Sequence, residues 1–286
     1  MELFFDMLRS IVYGVIEGIT EWLPISSTGH MILAEQVLKF SFSAEFMEMF
    51  RVVIQLGAIL AVVVMYFKKL WPFCVDNGRD SGLAKHVRWP VMRLWFKIIV
   101  ACLPAAVLGL ALDDWIDAHF YNSVVVAVML IVYGIAFILI ERRPRVPTTT
   151  KLSRITYRQA LIVGAWQVLA LIPGTSRSGS TIIGGLLCGM SRACASQFTF
   201  FLAIPVMAGA SGLKLVKFLA KGGVFTLGEV GTLLVGCIVA FVVSILAIRF
   251  LMDYVKKHTF TVFGWYRIAL GILVLGIWAL QSFVLA

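Results

Sequence analysis

Residues 94–112, 121–140, 230–250 and 262–284 each form an apolar run of about 20 residues, the length at which a helix crosses the hydrocarbon core of a bilayer. In lipid every backbone N–H and C=O must find its partner inside the protein, which a helix achieves unaided. Two slightly more polar runs, 46–67 and 195–213, are also long enough. With 60% hydrophobic and only 14% charged residues among 286, the chain lies beyond the composition of soluble globular domains. The first 20 residues lack a basic leader and a small-residue cleavage site, and Glu17 and Glu21 interrupt their apolar character. An integral membrane protein with an uncleaved N-terminus is therefore expected.

The net charge of +10 could suggest nucleic acid, but its distribution excludes that class. Lys68, Lys69, Arg79, Lys85, Arg88 and Arg93 separate the first two spans. Arg142, Arg143, Arg145, Lys151, Arg154 and Arg158 follow the third, and Arg249, Lys256 and Lys257 flank the turn between the last two. The alternate connections carry Asp113, Asp114 and Asp117, or only Lys214, Lys217 and Lys221. The positive-inside rule makes the basic loops cytoplasmic and puts both termini outside. Cys74, Cys102, Cys188, Cys194 and Cys237 form no CxxC or metal-ligand spacing and read as small packing residues rather than disulfides.

Two segments break at a proline followed by a Ser- and Gly-rich turn. Gly14-x-x-Glu17 leads through Glu21 to Pro24, Ser26, Ser27, Thr28, Gly29 and His30; Gly164-x-x-Gln167 leads to Pro173, Gly174, Thr175, Ser176, Arg177, Ser178 and Thr181. Proline lacks an N–H and clashes with the preceding turn, so a helix stops there. Three spans follow each break, so the second half must enter the membrane from the opposite side. The expected fold is all-α and polytopic: an inverted-topology repeat with six transmembrane helices plus two re-entrant helical hairpins. It forms a single membrane domain over 1–286, with repeats at about 1–141 and 158–286. Broken helices of this kind place a binding site near the midplane, where the repeats meet.

Ionisable groups at that depth cost at least ~2.5 kcal/mol each and normally face a working polar cavity. Glu17 and Glu21, four residues apart, share one helical face. They repel unless a divalent cation, an arginine or a shared proton lies between them. Mg2+ or Ca2+, completed by phosphate oxygens, fits that pair. Ser26, Ser27 and Thr28 stand at the N-terminus of a half-helix, where free N–H groups suit an anionic phosphate. A Ser or His there can act as nucleophile or proton carrier. His30 is the only histidine at membrane depth, so a mechanism needing two is excluded. In the second turn, Gly174, Ser176, Ser178 and Thr181 make a nest of donors around Arg177, whose planar fork matches phosphate oxygens. Gln167 and Leu171 occupy the places of Glu17 and Glu21, so the halves are not equivalent: carboxylates and imidazole in one, an anion cradle in the other.

The elements EGITE, PISSTGH and PGTSRSGST, with Val52-Val53-Ile54-Gln55-Leu56-Gly57 and the overall length, resemble the bacterial undecaprenyl-pyrophosphate phosphatase family, also called BacA or bacitracin-resistance proteins. Arg51 departs from it, since members often carry an acidic residue there. The resemblance implies a metal-dependent enzyme of the bacterial cytoplasmic (inner) membrane, its two re-entrant hairpins meeting at an outward-opening site. The implied reaction removes one phosphate from a C55 isoprenoid pyrophosphate, regenerating the lipid carrier for cell-wall synthesis. The implied site is Glu17, Glu21, Ser27, His30, Ser176, Arg177 and Thr181. Ser27 is expected as nucleophile with His30 or Glu21 as base, and His30 as nucleophile stays open, as does a homo-oligomer. The inverted repeat also suits a lipid-phosphate transporter or flippase, which phosphate release without ATP would distinguish. A member of the other lipid-phosphatase superfamily would need a second histidine motif, which Ser191-Arg192-Ala-Cys-Ala-Ser-Gln-Phe does not supply.

Overall fold

A computed structural model describes residues 2–75, 78, 85–143 and 146–284. Arg79 and Arg145 lie outside the described residues. Among these residues there is no strand, only two isolated bridges, Phe73 with Val87 and Thr149 with Met190. The helices are α1 (Glu2–Thr20), α2 (Ser27–Val37), α3 (Ala44–Val53), α4 (Gln55–Met65), a single turn α5 (Phe67–Leu70), α6 (Trp89–Phe120), α7 (Ser123–Glu141), α8 (Tyr157–Val168), α9 (Arg177–Leu187), α10 (Arg192–Ala220), α11 (Leu227–Lys257) and α12 (Thr261–Val284).

Six segments are long and apolar enough to cross a bilayer: Ala44–Met65, Trp89–Leu112, Ser123–Glu141, Arg192–Ala220, Leu227–Lys257 and Thr261–Ser282. They coincide with the six expected spans. Several helices run well past the apolar core, because backbone hydrogen bonding continues where hydropathy stops. Asp113, Asp114 and Asp117, expected in an outer connection, fall instead within α6. The outside of the bundle is apolar, as lipid contact requires: Leu234, Ile238, Val242 and Leu246, one turn apart on α11, are all exposed.

The first span is interrupted at Ile54, which separates α3 from α4. The carbonyls at the interruption are taken by side chains of neighbouring helices. Ser211 Oγ–H donates to Val52 O (3.0 Å) and the Cys237 thiol to Val53 O (3.7 Å). Side chains cap the starts of α8 and α11 in the ordinary way. Thr156 with Gln159, and Thr226 with Glu229, form reciprocal capping boxes on α8 and α11.

Close helix approach depends on missing side chains. Gly134 of α7 and Gly264 of α12 face each other, and a Cβ on either would lie 2.7 Å from the other's carbonyl oxygen. Gly14 of α1 packs on Gly236 of α11, and Gly164 of α8 on the Ala101 backbone of α6. α1 thus leans on the fifth span and α8 on the second.

A Cβ at Gly57 would overlap the Cys237 carbonyl group and fall 2.8 Å from Cys237 Cα. Gly57→Ala should therefore separate α4 from α11 and destabilise the protein by about 1–3 kcal/mol. Gly209→Ala meets nothing within 4 Å and, sitting inside α10, should be neutral or stabilising by up to ~1 kcal/mol. Unfolding midpoints in detergent check both; equal midpoints would contradict the packing.

Candidate active site

α1 ends at Thr20 and the chain turns over residues 21–25 before α2 begins. Glu21 N–H still reaches Glu17 O (3.1 Å), so the two carboxylates remain stacked through the last turn. Pro24 then ends the ladder, and Ser26 turns the chain with φ 72° and ψ 107°. α8 ends at Val168, a short 3-10 turn follows, and Ser176 adopts φ 69° and ψ 117° ahead of α9. These two serines are the only non-glycine residues with positive φ among the described residues. They fall at equal distances from Gly14 and Gly164. Strain of this kind costs on the order of 1–3 kcal/mol per residue and persists where surrounding contacts over-determine the backbone.

The two turns meet. Ser178 Oγ–H donates across to Leu23 O (3.4 Å). Arg177 Nη2 and Nε donate to Glu21 Oε1 (3.0 and 3.3 Å), and Nη1 donates to Thr199 O (3.0 Å). The other Glu21 oxygen, Oε2, accepts from Ser27 Oγ–H (3.2 Å). One carboxylate thus holds both the Ser27 hydroxyl and the Arg177 guanidinium. Trp22, fully buried and edge-on to Phe200, has its ring 6.0 Å from that guanidinium.

Glu17 is buried with Oε1 unpartnered, and so is the Ser26 hydroxyl. Ser26 precedes α2 without capping it, whereas Ser176 Oγ accepts Gly179 N–H (3.1 Å) in the ordinary N-cap manner. Glu17, Ser27 and Thr28 line a cavity of about 620 Å³. Its wall continues through Glu48, Arg51, Gln55, Tyr121, Lys214 and Lys221. Arg51 is ion-paired with Glu35, and Lys214 with Glu48 (2.8 Å).

His30 lies apart from that cluster. A carbonyl can only accept, so Nδ1–H donates to Ser26 O (2.7 Å), and Nε2 of the neutral ring accepts the Tyr266 phenol (2.7 Å). Both nitrogens are engaged, and the residue bonded to Ser27 is Glu21. Thr181 is fully buried; its hydroxyl donates back to Arg177 O (2.9 Å) and accepts from Thr199 Oγ1 (2.9 Å), bracing the first turn of α9 from below. Gly174, at φ 89°, packs against the Val126 backbone, and its carbonyl accepts from Arg267 (2.9 Å).

Tyr266 and Arg267 belong to the site's surroundings although 262–284 reads as a plain span. The signal was present, since Arg267 is an ionisable residue in an apolar run. Among the described residues no group of three or more His, Cys, Asp or Glu could hold a metal ion. Two carboxylates, one with an unpartnered buried oxygen, still suit a hard cation whose other positions are filled by water and phosphate.

Known proteins locate this geometry. The family model for bacitracin resistance protein BacA matches residues 10–273. An undecaprenyl-diphosphatase of Enterococcus faecalis is 59% identical, over 96% of this chain and 99% of its own length. Proteins of the same name from Lactococcus lactis subsp. cremoris and Desulfitobacterium hafniense are 56% and 57% identical, over 98% and 94% of this chain and 99% and 95% of theirs. The hydroxyls, carboxylates and arginine converging at Glu21 therefore sit in a chain that belongs to the BacA family.

Proposed function

We propose that this protein is a membrane-embedded phosphatase that hydrolyses undecaprenyl pyrophosphate to undecaprenyl phosphate and inorganic phosphate. The observation that carries the reading is the Glu21 carboxylate, which joins a serine hydroxyl to an arginine where two helix N-termini meet. An N-terminus offers free N–H groups and a positive dipole end to an anion. Two of them, with a guanidinium, suit a phosphoryl group better than any neutral ligand.

We further infer that α1–α2 and α8–α9 are re-entrant hairpins of an inverted repeat, spanning about 1–141 and 158–286 of one membrane domain. Support comes from the matching strained serines, from α1 leaning on α11 as α8 leans on α6, and from the reciprocal Gly134–Gly264 contact. Basic loops on the cytoplasmic side then put both termini, and the mouth of the 620 Å³ cavity, on the outer face of the bacterial cytoplasmic membrane.

In the reaction, the isoprenoid chain lies among the apolar helices and the pyrophosphate enters between Ser27 and Arg177. The phosphate draws Arg177 away from Glu21, and the freed carboxylate accepts the Ser27 proton. Ser27 Oγ attacks the terminal phosphorus, the bridging P–O bond breaks, and undecaprenyl phosphate leaves. Glu21 passes its proton to the departing phosphate, then takes one from a water that attacks the phosphoserine, and returns it to Ser27 as inorganic phosphate leaves. Arg177 and the N–H groups of residues 177 and 178 hold the equatorial oxygens as charge redistributes. His30 braces the turn through Ser26 O. Glu17 and Glu21 would hold a divalent cation, Mg2+ or Ca2+, which when bound neutralises pyrophosphate oxygens.

Purified protein in detergent should release phosphate from undecaprenyl pyrophosphate without ATP, and a chelator should suppress the release. ATP-dependent or absent release would favour the transporter reading. Glu21→Gln and Ser27→Ala should purify folded and lose nearly all turnover. Arg177→Ala should lose about 10²–10³-fold in kcat, as removal of a transition-state donor typically does. Arg177→Lys should fall well short of rescue, because lysine is a single-point donor; near-wild-type turnover would make Arg177 only a structural partner of Glu21. Lys151→Cys and Ala118→Cys, in a background without native cysteines, should react with impermeant thiol reagents from opposite faces. Labelling from one face would remove the inverted repeat.

A further inference from the structure

Arg267 is completely buried in α12. Its guanidinium donates only to backbone carbonyls: Nη1 to Pro24 O (3.2 Å), Nη2 to Gly174 O and Thr175 O (both 2.9 Å) and to Met129 O (3.5 Å), and Nε to Leu130 O (3.4 Å). The Tyr133 ring lies 5.5 Å from Cζ. None of the salt bridges among the described residues includes Arg267. It is a buried cation whose partners are dipoles rather than a counter-ion.

The positions of those carbonyls give the residue its meaning. Pro24 belongs to the first turn, and Gly174 and Thr175 to the second, and the strained serines Ser26 and Ser176 follow within two residues. Met129 and Leu130 belong to α7 and anchor the fork. A planar, rigid guanidinium that reaches both turns at once fixes their separation, and with it the separation of the N-termini of α2 and α9. Arg267 also stands directly behind one of those N-termini, since a Cβ at Gly179 would lie 3.3 Å from its Nη1. Neutral donors could satisfy the same carbonyls. A cation without a counter-ion adds positive potential where a phosphoryl group would sit, in a setting that screens it poorly.

We propose that Arg267 is a positioning residue for the phosphatase reaction, clamping the two turns in the register at which Ser27 and Arg177 address one phosphoryl group. It rests on the phosphatase reading above, and acts through the turns rather than by touching substrate. Displacement of reacting groups by about 1 Å can cost ~100-fold in rate while leaving most substrate contacts in place. The loss should therefore fall on kcat rather than KM.

The test compares wild type, Arg267→Lys and Arg267→Gln as full-length protein in detergent. Hydrogen exchange is followed in peptides covering 24–29 and 174–179, alongside kcat, KM and unfolding midpoint. Lysine keeps the charge but cannot bridge both turns; glutamine keeps a donor but no charge. Exchange should rise in both turns together in each variant. On undecaprenyl pyrophosphate, kcat should fall ~10–100-fold with KM within about threefold, more in Arg267→Gln than in Arg267→Lys. Unchanged exchange in both turns, or wild-type kcat in Arg267→Lys, would overturn the proposal. So would failure of both variants to fold, which would make Arg267 a requirement of the fold instead. If wild type released no phosphate, the phosphatase reading would fail, while the exchange data would still report on the clamp.

Discussion

Backbone that leaves a helix among apolar side chains must find every hydrogen-bond partner within the protein. The two broken segments of this chain meet that demand partly through each other and partly through α12. Ser178 satisfies Leu23 O, and Arg267 satisfies carbonyls in both turns. Ser180 donates to Trp166 O, closing the second segment on itself. The groups left over include the Ser26 hydroxyl and one oxygen of Glu17. Structure and chemistry share the same hydrogen-bond inventory.

On the inverted-repeat reading proposed above, corresponding positions of the halves differ along chemical lines. Glu17 answers to Gln167, Glu21 to Leu171 and Ser27 to Arg177. A similar backbone, including the unusual φ of Ser26 and Ser176, carries carboxylates and a hydroxyl on one side and a cation on the other. Glu21 and Arg177 then neutralise each other across the interface, both largely buried. An ion pair at such depth gives little net stability, because desolvation offsets attraction. In the reading proposed above, the pair keeps each charge satisfied until a phosphate competes for the arginine.

The six spans were legible because lipid imposes one pattern, and the two broken segments because proline and glycine punctuate it. Helix length was less so: α6 continues through Asp113, Asp114 and Asp117, since hydropathy marks the bilayer and not the end of the hydrogen-bond ladder. The interruption at Ile54 was invisible, as it depends on Ser211 and Cys237 from helices remote in sequence. Within the site, the meeting of Glu21, Ser27 and Arg177 followed from residue type and an inferred symmetry. The engagement of His30 by Ser26 O and Tyr266 did not, and neither did the inward turn of Thr181, because both depend on side-chain direction. Arg267 could have been found. A charge in an apolar run warrants a partner search, and the plain look of residues 262–284 concealed it.

A structure determined with a non-hydrolysable methylene-bridged analogue of undecaprenyl pyrophosphate would test the shared phosphate site directly. The terminal phosphonate should lie between Ser27 Oγ and the Arg177 guanidinium, at the N-termini of both α2 and α9, with the Arg177–Glu21 bond released. A phosphonate held instead near Lys214 and Lys221, with Arg177 still paired to Glu21, would contradict it.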